Sequence, residues 1–66
     1  MDTVSSLAME IRRARKESGL TQGELADLAG VSERTIRALE TATGNPSLRA
    51  VVSVLNVLGL KLGAGR

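Results

Sequence analysis

The chain contains no cysteine, no histidine and no aromatic residue. Without cysteine there is no disulfide and no thiolate metal site. Without histidine as well, an imidazole-based catalytic or metal centre is excluded, so neither metal nor cofactor is expected. Carboxylates, lysine and hydroxyls remain, but Glu17, Glu24 and Asp27 fall on expected helices and read as ordinary surface charges. The chain is therefore not expected to be an enzyme. Long apolar runs are missing too. The stretch "AVVSVLNVLGLKLGAG" (50–65) is broken by Ser53, Asn56, Gly59 and Lys61 and is too short and interrupted to span a bilayer. The opening "MDTVSS" lacks the basic segment and apolar run of a signal peptide. The expectation is a soluble, cytoplasmic protein that does not engage membranes.

The 66 residues are enough for one domain, 1–66, with no repeat, linker or internal boundary. An aliphatic core of Leu, Val, Ile and Ala in so short a chain has a thin stability margin, and dimerisation is one way to add burial. Net charge is only +2, with an isoelectric point near 9.9. Its distribution says more than its sum: "IRRARK" (11–16) carries four bases, and Arg34 and Arg37 lie close together further on. That arrangement suits a polyanionic partner, and it equally suits a solvated helix face.

Residues 1–4 read as a loose tail. Val4, Leu7, Ala8, Ile11 and Ala14 recur at helical spacing, predicting an amphipathic helix over 5–18 that ends at Gly19. Thr21 and Glu24 form a T-x-x-E capping box opening a second helix, whose apolar side is Leu25, Ala26, Leu28 and Ala29 and whose stop is Gly30. Ser32 is a good N-cap for a third helix with Ile36 and Leu39 inward. "TATGNP" (41–46) reads as a loop, and a fourth helix begins at Asn45, Pro46 or Ser47. Leu48, Val51, Val52, Leu55 and Leu58 form one face of that helix. After Gly59, Leu60 and Leu62 alternate with Lys61, a short strand pattern over 60–64. The fold class is all-α.

"TQGELADLAGVSERTIRALE" (21–40) joins two short helices almost without a gap. Gly30 permits a positive φ at the corner, Ala26 and Ala29 allow close approach, and Val31 and Ile36 fill the angle. Such a joint is a helix-turn-helix, which exposes the start of its second helix to a DNA major groove, or else an ordinary αα-hairpin. A second feature constrains the packing. Arg15 lies on the apolar stripe of the first helix, and Glu40 lies four residues after Ile36 on that of the third. A charge on a buried face is costly unless paired, so Arg15 and Glu40 are expected to pair across the core.

Gly19, Leu20, Thr21, Gln22, Leu25, Ala26, Ala29, Gly30, Val31, Ser32, Ile36 and Glu40 together resemble the Cro/cI-type (XRE) helix-turn-helix family, and the likeness runs from about Ile11 to Leu60. The resemblance implies a lambda-repressor-like four-helix domain, sequence-specific binding to double-stranded DNA, and the same Arg15–Glu40 pair. It further implies that Gln22, after the N-cap Thr21, contacts a phosphate or base edge. The chain departs from the pattern where the family often has Gly two residues after the matched Glu: Ala42 stands there, and glycine follows at Gly44.

On the third helix, Ser32, Glu33, Arg34, Arg37 and Ala38 face outward or lie at its start, and are the candidate base readers. Arginine pairs best with guanine, and Glu33 either accepts from cytosine N4 or holds Arg37 in place as an i,i+4 pair. Thr21 and Gln22 sit at the positive end of the second helix. Thr41 and Thr43 offer hydroxyls to phosphates, and Arg12, Arg13 and Lys16 offer charge or are simply solvated.

One such module reads only a few base pairs, so a homodimer on a palindromic operator is expected. With Leu48, Val51, Val52 and Leu55 inward, the remaining apolar residues Val54, Val57, Leu58, Leu60 and Leu62 are the candidate dimer interface. The alternative is that some of them complete the core. The tail "VLGLKLGAGR" and "NPSLRAVVSVLNVLGLKL" are most similar to the HipB-type antitoxins, which implies a repressor of its own operon with a HipA-like toxin kinase as partner, and a short strand pairing across the dimer. A stand-alone phage-type repressor, and a protein-interaction module that has lost DNA binding, are the alternatives.

Overall fold

The computed structural model describes residues 3–60. Four helices follow one another: α1 (Thr3–Glu17), α2 (Gln22–Ala29), α3 (Glu33–Thr41) and α4 (Leu48–Leu58). None is long and apolar enough to cross a membrane.

The helix ends follow from side-chain chemistry. Thr21 Oγ1 accepts from the Glu24 backbone N–H at 3.0 Å, and Glu24 Oε1 accepts from the Thr21 N–H at 2.8 Å, completing the capping box of α2. Ser32 caps α3 by accepting from the Thr35 N–H, and Ser47 caps α4 by accepting from the Ala50 N–H. Of the three candidate starts for the fourth helix, Ser47 is therefore the N-cap.

Each helix contributes one of the four largest fully buried side chains: Ile11, Leu25, Ile36 and Val54. Ala8, Ala26, Ala29, Leu39 and Leu55 fill between them. Small residues on α2 allow close approach, and there Ser53 of α4 donates its hydroxyl to the Ala29 carbonyl at 2.6 Å. That bond satisfies a carbonyl at the end of α2 and fixes how α4 is rotated against it.

Three expectations need correction. Residues 3 and 4 are not a loose tail, because α1 begins at Thr3. Nothing in "TVSS" breaks a helix, so the turn packed through Leu7 and Ala8 extends backward although Val4 is exposed. Leu28 is 62% exposed and lies off the buried side of α2. Most consequential is the rotation of α4. Leu48 is 71% exposed and Val52 is also at the surface, whereas Val54 is completely buried. Val54 thus belongs to the core and not to a dimer surface. Both 48/51/52/55 and 51/54/55/58 satisfy helical spacing, but Arg49, Ser53 and Asn56 share one side of α4 directly opposite the second set, and the Ser53 bond agrees with that face turning inward. Leu58 and Leu60 are half-buried against the core, and Val57 is exposed. Leu60 lies in no regular element, and Leu62 with the rest of the 60–64 strand pattern falls outside the described residues.

The loop after α3 closes on Ala42, which takes the left-handed conformation at φ 56° and donates its N–H to the Ala38 carbonyl. This is the position at which the family pattern has glycine, and an alanine there carries steric strain of about 1–2 kcal/mol.

Candidate nucleic-acid interface

α2 ends and α3 begins across three residues. Gly30 sits at φ 71°, its N–H reaching the Asp27 carbonyl, while the Val31 N–H reaches Ala26 O at 3.0 Å. A side chain at that φ is disfavoured, so glycine makes the corner without strain. Val31 packs half-buried against the core, and Ser32 then starts α3 at once. The corner points the first turn of α3 outward. Ser32, Glu33, Arg34 and Arg37 are exposed, Thr35 and Ala38 are half-buried, and Ile36 and Leu39 are inside. Both arginines therefore lie on the open side of a short helix anchored from behind by two large apolar side chains.

The anchor includes a charged part. Arg15 Nε donates to Glu40 Oε2 at 2.6 Å and Nη2 to Oε1 at 3.0 Å, a two-pronged contact between side chains only 10% and 2% exposed. Arg15 Nη1 also donates to the Leu20 carbonyl at 2.8 Å. Gln22 Nε2 adds a fourth bond, to Glu40 Oε1 at 3.2 Å. The hydrogen bonds Arg15 donates to Glu40 raise the Arg15 pKa above its ordinary value, outweighing the desolvation that works against the charge. Among the described residues no buried side-chain polar atom lacks a partner. The pair thus ties α1 to α3, and Gln22 ties the start of α2 to both.

A helix-turn-helix family profile matches residues 11–64. A relative described as an uncharacterized HTH-type transcriptional regulator, from Methanothermobacter thermautotrophicus, is 49% identical over 49 residues, spanning 74% of this chain and 71% of its own length. The chain belongs to the XRE-type helix-turn-helix family. In a helix-turn-helix protein α3 is the recognition helix, and α2 crosses the DNA backbone behind it.

On this helix-turn-helix frame the sequence candidates divide. Ser32, Glu33, Arg34 and Arg37 share the exposed side of α3, and Thr21 is exposed at the head of α2. Gln22 is half-buried and its amide group is already engaged with Glu40. Thr41 Oγ1 donates to the Arg37 carbonyl at 2.8 Å and shares a hydrogen bond with Thr43 Oγ1, so these hydroxyls hold the end of α3 together. On α1, Arg13 pairs with both Glu10 and Glu17, which raise its pKa, whereas Arg12 has no ion-pair partner among the described residues.

One placement escaped sequence reasoning. Glu33 Oε1 lies 3.4 Å from where a Cβ on Gly23 would stand, and Glu33 Oε2 lies 3.5 Å from Arg37 Nη2. The Glu33 carboxylate thus lies over the first turn of α2, at a distance where a Cβ on residue 23 would make only ordinary contact.

Proposed function

We propose that this chain is a sequence-specific DNA-binding transcriptional regulator that acts as a dimeric repressor in the cytoplasm, built as one domain over residues 1–66. The observation that carries the reading is the exposed face of α3, where Arg34 and Arg37 stand on a helix whose other side is locked into the core. Arginine at such positions suits guanine O6 and N7. Thr21 and the head of α2, with Arg12 on α1, supply phosphate contacts; Ser32, Ala38 and Thr41 border the reading surface. Family membership points the same way, since regulators of this type bind DNA and are typically non-enzymatic.

Dimerisation is supported by apolar side chains left uncovered on α4. Leu48 and Val52 are exposed on one side of α4, while Val57 is exposed on the opposite side, near the half-buried Leu58 and Leu60 at the end of the helix. A two-fold dimer would place two copies of α3 in half-sites about 34 Å apart. The antitoxin role rests on the likeness of residues 45–62 to HipB-type proteins, and its partner would be a HipA-like toxin kinase encoded beside this gene. Co-purification of that neighbour's product with the chain tests the role.

The DNA reading is tested by equilibrium binding to the DNA upstream of the chain's own coding sequence. Contacts to 6–10 phosphates predict a loss of about 10³–10⁵ in affinity between about 50 and about 200 mM salt. Salt-insensitive binding, or none, would leave the helix-turn-helix as the scaffold of a protein-interaction module.

A further inference from the structure

We infer that Glu33 is the discriminating charge of the recognition helix: it weakens contact with DNA of any sequence, and its repulsion is offset only where a base edge satisfies it. This inference rests on the DNA-binding reading and names the residue that makes such binding selective.

The placement carries it. Glu33 is the first residue of α3, at the N-terminal end of its exposed face between Ser32 and Arg34. One carboxylate oxygen lies over the first turn of α2 beside Gly23, and the other lies 3.5 Å from Arg37 Nη2. Two features that attract phosphate are the positive end of α2 and the arginines of α3. Glu33 sits against the first and partly neutralises the second. The Glu33 and Arg37 side chains are both more than half exposed. An exposed i,i+4 pair of this kind adds little to stability. Its consequence therefore lies in binding. Any duplex that brings a phosphate to this corner meets an anion already there, and Arg37 must leave Glu33 to reach a base. A duplex that offers cytosine N4 to Glu33 and guanine to Arg37 replaces both lost contacts, whereas other sequences leave the carboxylate facing phosphate unpaired. A repulsive element of this kind raises the ratio of right to wrong partners by weakening the wrong ones. Arg34, which has no ion-pair partner among the described residues, supplies attraction that does not depend on this exchange.

The test compares wild type, Glu33→Gln and Glu33→Asp. The probes are a duplex selected by the wild-type protein from a randomised pool and a shuffled version of it, each at about 50 and about 200 mM salt. Expected for Glu33→Gln is about 3–10-fold tighter binding to the shuffled duplex at the lower salt, with a salt slope steeper by about 0.9. The ratio of selected to shuffled affinity should fall about tenfold or more, as for the loss of one base contact. Glu33→Asp, which keeps the charge, should stay weak on the shuffled duplex. Unchanged or weaker binding of Glu33→Gln to the shuffled duplex, with the wild-type melting temperature, would overturn the inference. So would Glu33→Asp behaving like Glu33→Gln. If the wild-type protein selects no sequence from the pool, the DNA-binding reading itself fails and takes this inference with it. Selective wild-type binding with an unaltered ratio in Glu33→Gln removes the inference alone.

Discussion

Replacing Glu40 by alanine strands Arg15 in a nearly buried position, where its guanidinium now has two bonds to that carboxylate. Breaking one side of a buried pair costs about 3–5 kcal/mol, and chemical denaturation of Glu40→Ala should show a loss of that size. A loss below about 1 kcal/mol would mean that the pair does not organise the core. Because the Arg15 pKa is raised, its contribution is fully present below the ordinary guanidinium value and is lost only as pH climbs through the higher folded value. Arg15 therefore adds no pH dependence near neutrality. At Ala42, glycine would relieve the left-handed strain at φ 56°, so Ala42→Gly should raise stability by up to about 1 kcal/mol despite its greater unfolded-state entropy. The Arg15–Glu40 contact was legible because a charge on an apolar stripe demands a partner. The engagement of Gln22 with that pair was not, since an amide at a helix start is equally at home facing solvent.

At the scale of the element, α4 carries the sharpest comparison. Val54→Ala should cost about 2 kcal/mol, while Leu48→Ala, although it removes a larger side chain, should stay within about 0.5 kcal/mol. The opposite ranking in denaturant melts would mean that α4 packs through its other face. The four helices themselves were readable, because caps at Thr21, Ser32 and Ser47 and breaks at Gly19, Gly30 and Gly59 speak locally. Apolar spacing alone did not fix the rotation of α4, but its polar residues carried the signal. Arg49, Ser53 and Asn56 share one side of the helix and so mark 51/54/55/58 as the inward face, which the Ser53 hydroxyl on a carbonyl of α2 then holds in place. The candidate reading face of α3 was readable for the converse reason: only Ile36 and Leu39 are large and apolar, and apart from Glu40, which pairs with Arg15, its charged residues have the outward side left.

For the whole molecule, the uncovered apolar side chains of α4 favour a pair of copies. Val57→Glu places a charge on the candidate surface beside Leu58 and Leu60 without entering the core, and sedimentation equilibrium should show it shifting the protein toward monomer with its helical signal intact. A variant as dimeric as the wild type would move the interface elsewhere. α1 and α2 pack against the buried side of α3, α4 packs behind them on α1 and α2, the Arg15–Glu40 pair locks the end of α3, and the Gly30 corner leaves its start exposed. Binding of wild type, Arg34→Ala and Arg37→Ala to the upstream DNA, followed across salt, measures most directly whether α3 reads DNA. Wild type should bind tightly and selectively, and each variant should lose about 1–3 kcal/mol of discrimination at the base it contacts. Equal affinity of all three proteins, at every salt concentration, would show that α3 is not the surface that meets DNA.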